Sequence, residues 1–202
     1  MINIVGTSHV STDSIEKIDE AFEQHDPDVV CLELDMGRLN SLLSDDKSLQ
    51  AQSLTHSLLA RFQRYIGEKT GMMPGEEMLY AYERAKEEDL DIYLIDRDIK
   101  ITLGRIGNVN KKEKVKAVAM MPLSFLGRGK FDYKRIPDQE DLEQLTKIFK
   151  QKFPELYQAL VEERDIYMAE SLKTVREEHP DDSIVAVVGA AHQKGLEERI
   201  QN

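Results

Sequence analysis

Apolar residues along this chain follow two kinds of spacing. Four short runs, residues 2–6 (INIVG), 29–34 (VVCLEL), 91–96 (DIYLID) and 184–189 (IVAVVG), are nearly continuous rather than alternating, and all four contain β-branched residues. That pattern predicts strands covered on both faces, as in a parallel sheet between helices. Between the runs, apolar positions recur every three or four residues. Ile15, Ile18 and Phe22 follow Asp13, which with Glu16 suits a variant capping box, and Met78, Ala81, Tyr82 and Ala85 follow Pro74-Gly75. The stretch from about Glu140 to Glu178 is helical in pattern, and Pro154 should break it into two helices.

The second of these helices carries an anomaly. On a wheel of ~100° per residue, Tyr157, Leu160, Val161, Met168, Leu172 and Val175 share one face, with Arg164 in its middle and Asp165 at its edge. A guanidinium does not lose its proton, so burial requires an anionic partner; the alternative is a packed stem whose head snorkels to solvent. Together the elements predict an α/β fold in a single domain over 1–202. It should have a central, mostly parallel sheet of about four core strands flanked by helices, with a helical segment, about 99–180, inserted before the last strand. No solenoid-type repeat or low-complexity segment is present.

Composition narrows the function classes. The 202 residues are 41% hydrophobic, enough for a core, and the formal net charge of -11 argues against a general nucleic-acid binder. One basic stretch, Lys111 to Arg135, reads as a solvated helix and loop or as a local anion or membrane-surface patch. The single cysteine, Cys31, lies within an apolar run, excludes an internal disulfide and fits a reducing compartment. No charged leader with an apolar core precedes the first strand, and no run approaches the ~18 apolar residues of a membrane helix. A soluble, cytoplasmic chain without a membrane segment is therefore expected, with a homo-oligomer left open.

In open parallel sheets, ligands bind outside the carboxyl ends of the strands. The residues that follow the four runs there are Gly6-Thr7-Ser8-His9, then Glu33 and Asp35, then Asp96-Arg97-Asp98, and Gly189-Ala190-Ala191-His192. Two GxxH motifs thus leave two strands: glycine permits the sharp exit and small residues keep the crevice open. Either histidine alone would be read as structural; the pair with Glu33 points to chemistry. His9, His192 and Glu33 are a plausible ligand set for a divalent metal that activates water. The same groups can also act without an ion, with a histidine as general base, while Arg97 and Arg164 stabilise an oxyanion or clamp a carboxylate. His25, His56 and His179 read as surface or terminal residues.

The stretches VGTSHVS, PDVVCLELDMGR, PGEEM, LIDRDIKITLGR, ERDIYMAESL and VVGAAHQKGL, in this order over nearly the whole chain, resemble the TraB/PrgY family, related to GumN and Tiki proteins. The resemblance implies an α/β fold centred on two GxxH motifs. It also implies a metal-dependent, peptidase-like hydrolase of the Tiki type, with manganese or cobalt favoured and zinc a further candidate. The PrgY branch implies instead a module that shuts down a peptide pheromone by sequestering or degrading it. Carried over by position, the motif histidines are His9 and His192, the motif acid is Glu33 and the motif arginines are Arg38, Arg97, Arg105 and Arg164. The candidate catalytic residues are therefore His9, Glu33, Arg97, Arg164 and His192, with His9, Glu33 and His192 as metal ligands. Gly6, Arg38, Asp96, Arg105, Asp165 and Gly189 support them, and the implied partner is a peptide or small-molecule substrate. A metal-free esterase-type hydrolase with His9 as base is the third reading. Many members continue into a membrane-embedded C-terminal region; ending at Asn202, this chain fits a soluble short form or an excised domain.

Overall fold

The four apolar runs pair with one another into one parallel sheet of β1 (Ile2–Thr7), β2 (Val29–Leu32), β3 (Asp91–Leu94) and β4 (Ile184–Gly189), in the order β1-β4-β2-β3. The computed structural model describes residues 1–7, 12–44, 75–125 and 139–201. Regular pairing in β2 and β3 stops two residues short of the predicted ends, but the Glu33 amide still donates to Val187 O (3.1 Å) and that of Ile95 to Leu32 O (2.9 Å). Glu33 and Asp96 therefore sit on a backbone that the sheet still holds.

The continuous apolar runs have the expected cause. In β2, Val29 and Cys31 face one layer of helices while Val30 and Leu32 face the other; in β4, Ile184, Ala186 and Val188 alternate with Val185 and Val187 in the same way. Every residue of these two inner strands is buried, whereas the edge strands β1 and β3 are mostly half-buried. One layer contains α1 (Thr12–His25), α2 (Met36–Leu43) and α3 (Glu76–Glu87), which contribute Ile18, Phe22, Leu39, Met78 and Ala81 to the core. The other contains α8 (Glu163–Glu178) and α9 (Ala190–Ile200), which contribute Met168, Leu172, Val175 and Leu196. Asp13 lies in the first turn of α1.

Helices α4 (Ile99–Asn108), α5 (Lys111–Phe125) and α6 (Gln139–Lys152) follow β3, with a small core of Val109, Phe153 and Leu156. The basic stretch begins on α5, where Lys114 Nζ donates to Gly107 O (2.6 Å) and Lys116 Nζ to Lys152 O (3.1 Å), so two of its lysines satisfy carbonyls at the ends of α4 and α6. Residues 126–135 of that stretch, and His56, lie outside the described residues.

The predicted break falls at Pro154, the first residue of the short α7 (Pro154–Tyr157). Beyond it the wheel fails for half a face. Residues Gln158–Glu162 form a π-helical turn that leads directly into α8. Its wider turn shifts the register by about one residue, roughly 100° of rotation, relative to a regular helix. Val161, Met168, Leu172 and Val175 are buried as expected, but Leu156 and Ala159 take the places assigned to Tyr157 and Leu160.

Cys31 is fully buried in β2, and burial pushes its thiol pKa up to about 12, only partly offset by the charge of Arg176. At neutral pH it is a protonated, inaccessible thiol. Iodoacetamide should therefore leave the native protein unlabelled over hours and label it within minutes in denaturant, as followed by mass spectrometry.

Candidate functional site

The carboxyl ends of β2, β3 and β4 converge on one guanidinium. Arg164, in the first turn of α8, has a side chain only 14% exposed. Its Nη2 donates to Glu33 Oε1 and to Asp96 Oδ2 (2.6 Å), and its Nε donates to both Asp96 oxygens (3.2 Å each). Its Nη1 donates to Leu160 O (3.3 Å) and meets His192 Nε2 at 3.0 Å. Arg164 is thus largely buried and ion-paired, not snorkelling. Burial alone works against its charge, but the carboxylates of Glu33 and Asp96 outweigh that and push its pKa up.

His192, in the first turn of α9, is 4% exposed. Its Nδ1 lies 2.6 Å from Asp165 Oδ1 and its Nε2 faces Arg164. A guanidinium can only donate, so Nε2 accepts and Nδ1 carries the proton, which it donates to Asp165. The hydrogen-bond network therefore assigns a neutral imidazole in a single tautomer, the arrangement that leaves Nε2 as a base. Glu33 Oε1 lies 3.5 Å from that Nε2, and Glu33 Oε2 accepts from the amide of Gly189 (2.6 Å), the motif glycine at the end of β4. Glu33 thus ties β2 to β4 and to α8.

Three further arginines, Arg38, Arg97 and Arg105, lie around this hub. Arg38, at the start of α2, donates through Nη1 to Glu33 O and Asp96 Oδ2 (3.2 Å each). Arg97 is 7% exposed and binds inward, to Thr102 Oγ1 (3.0 Å), Glu163 Oε2 (2.9 Å) and Ala159 O (2.8 Å). Arg105 joins the same Glu163 oxygen at 3.1 Å. The π turn therefore supplies carbonyl acceptors to two of the arginines, Ala159 to Arg97 and Leu160 to Arg164. Asp35 and Asp98, which also follow strands, cap helices: Asp35 Oδ1 accepts from the amides of Gly37 and Arg38, and Asp98 from that of Lys100.

The structure brings together Glu33, Arg38, Asp96, Arg164, Asp165, Gly189 and His192, with Arg97 and Arg105 on the adjoining Glu163. Gly6 lies in β1, with the side chain of Gln193 and Cα of Ala190 where a Cβ would stand. His9 lies outside the described residues; Thr7, the last described residue before it, pairs in register with Gly189. Glu163 and the π-turn carbonyls had no mark in the sequence pattern. His179 stands at the carboxyl terminus of α8, as expected of a terminal residue, between Tyr93 Oη (2.8 Å) and Asp182 Oδ2 (2.7 Å). A cavity of about 600 Å³ runs along the amino-terminal part of β1, beside His25 and Arg176, apart from this cluster.

The described members of the expected metal set are already engaged. Glu33 and His192 share the Arg164 guanidinium, and the second oxygen and second nitrogen are taken by Gly189 and Asp165. Among the described residues no three His, Cys, Asp or Glu are grouped to hold an ion. In this arrangement the positive charge between Glu33 and His192 is the guanidinium itself, and an ion bound there would have to displace it. Asp35 Oδ2 is the one buried carboxylate oxygen without a partner among the described residues.

Gly195, one turn beyond His192, leaves room for this pairing. A Cβ there would overlap Asp165 Oδ2 and stand 2.9 Å from its Cγ. Gly195→Ala should push the carboxylate off Nδ1, with overpacking worth about 1–3 kcal/mol. Thermal denaturation measures that cost, and the Nδ1–H resonance in proton NMR should move or disappear.

These observations define a parallel α/β domain whose strand ends surround a buried arginine, two carboxylates and an oriented histidine. The chain belongs to the TraB/PrgY/gumN family, whose model matches residues 1–201. It is 36% identical to an uncharacterised protein of Methanocaldococcus jannaschii, over 96% of this chain and 52% of that protein. It is 30% identical to a human TraB domain-containing protein and 29% identical to the mouse one, in each case over 97% of this chain and 61% of the relative. The chain thus spans between half and two thirds of the length of these relatives. An erythromycin esterase in its open conformation aligns over 98% of the chain at 15% identity, but its TM-score of 0.37 is too low to bear on fold or chemistry. Among the described residues no helix is long and apolar enough to cross a membrane.

Proposed function

We propose that this domain is a hydrolase acting on an amide or ester carbonyl, with His192 as general base, Asp165 as the group that orients it and Arg164 as the electrostatic partner of the reacting oxygen. The observation that carries this reading is the line from Asp165 through His192 to Arg164, which fixes the tautomer and aims Nε2 at a guanidinium. Five of the bonds around Arg164 go to carboxylates or a backbone carbonyl, whereas the Nη1 contact with His192 is to a neutral ring. That contact is the easiest to exchange. A water molecule taking its place gives its proton to Nε2, and the hydroxide adds to the substrate carbonyl carbon. The released Nη1–H then donates to the oxyanion, while Nε and Nη2 stay anchored on Asp96 and Glu33. The imidazolium, still bonded to Asp165, returns the proton to the leaving group.

An ion held by His9, Glu33 and His192 is the competing reading, supported by the unpartnered Asp35 oxygen nearby in the chain and requiring Arg164 to move. Turnover of a panel of peptide amides and esters, assayed with and without EDTA, separates the two. We expect activity that survives EDTA. Activity lost to EDTA and restored by manganese or cobalt would establish the ion instead, and peptide binding without any turnover would make the domain a capture module of the pheromone-shutdown kind.

A further inference from the structure

The four motif arginines divide by how their donors are used. Arg164 and Arg97 are turned inward, 14% and 7% exposed at the side chain, each held through Nε and both terminal nitrogens. Arg38 differs. Its side chain is 30% exposed, and only Nη1 is bound, to Glu33 O and Asp96 Oδ2. Nε and Nη2 have no partner among the described residues. Those two nitrogens form one edge of the planar guanidinium, the edge that matches the two oxygens of a carboxylate.

Asp96 and Glu33 hold the other side of the group, so its orientation is set before any ligand arrives. Arg164 contacts the same Asp96 oxygen, Oδ2, that Arg38 does. A ligand on the free edge of Arg38 therefore lies one residue away from the guanidinium that faces His192. The inward arginines, given substrate-clamping roles from the sequence, have too few free donors for that task.

We infer that Arg38 is the specificity-determining residue of the site and selects substrates that carry a carboxylate close to the bond presented to His192. This rests on the hydrolytic site proposed above. The carboxylate has two sources, a free peptide C-terminus or an acidic side chain, and the test has an arm for each.

Four fluorescein-labelled tripeptides serve as probes: Ala-Ala-Ala as free acid and as amide, and Ala-Asp-Ala and Ala-Asn-Ala as amides. Fluorescence anisotropy should show at least one carboxylate form binding about tenfold tighter than its neutral partner, the gain of one charge-assisted pair. The free acid reports the terminal source and the aspartyl peptide the side-chain source. Arg38→Gln should bring that ratio close to one, and Arg38→Lys, which keeps the charge without the fork, should leave it in between. Arg105→Gln removes an equal charge bound to Glu163 rather than Asp96 and should keep the ratio. Equal binding of charged and neutral forms to the wild type, or an unchanged ratio in Arg38→Gln, would overturn the assignment. Hydrolysis of the same samples is followed by chromatography. Selective binding without cleavage sinks the hydrolytic reading and leaves Arg38 as the receptor, whereas cleavage without selectivity does the reverse.

Discussion

Arg164→Met should unfold at a far lower urea concentration than the wild type, with a loss of about 3–5 kcal/mol, the scale for removing one partner of a buried ion pair. The size follows from what is left behind. Glu33 and Asp96 have side chains 3% exposed and share this one guanidinium as their closest cation. Without it, two carboxylates stay near each other, away from water, with Arg38 touching Asp96 but only the backbone of Glu33. Methionine replaces much of the stem, so the loss reports charge rather than a cavity. Arg164→Lys should fall between, because an ammonium keeps the charge but cannot reach Glu33, Asp96, Leu160 and His192 together. Adding Glu33→Gln to Arg164→Met should cost less than the sum of the two single changes, since Glu33→Gln removes one of the two carboxylates that lose their shared cation. A single variant within about 1 kcal/mol of the wild type would mean that the pair is solvated after all, in the range of exposed ion pairs.

What the sequence shows and what it hides follow one physical line. Strands are legible where both faces are buried, because every position of β2 and β4 must then be apolar, and the residues just past such strands are legible as site candidates because the parallel topology gathers those ends. Arg164 was legible because a permanent cation within an apolar stripe demands an anion. The partners were not legible. A wheel assumes 3.6 residues per turn, and the π turn at 158–162 breaks that assumption just before Arg164, so the carbonyls of Ala159 and Leu160 cannot be placed from spacing. Nor does sequence reveal which N–H groups of an arginine are already used: Arg97 and Arg38 look alike as letters, yet one is spent internally and the other has a free edge. Asp165 and Gly195 meet only because α8 and α9 pack side by side, a contact between residues thirty positions apart.

Turnover, under the hydrolytic reading, should fall by about 10²–10⁴-fold in His192→Ala, the range for removing a positioned general base. Asp165→Asn should fall by a similar or greater factor without truncating any group that contacts substrate. The reason lies in the tautomer. Asp165 can only accept, so Nδ1 must carry the proton and Nε2 is free to act as base. An asparagine can turn its amide NH₂ toward Nδ1, which then accepts, and the proton moves to Nε2. There it opposes the donor face of Arg164, 3.0 Å away, and the base is lost. The loss in Asp165→Asn should appear in kcat rather than KM, because ring chemistry and not substrate contact has changed. Nitrogen-15 imidazole spectra should show Nδ1–H in the wild type and Nε2–H in the variant. Full activity in Asp165→Asn, with the spectrum switched, would show that Nε2 is not the base and would move the chemistry to another group at the strand ends.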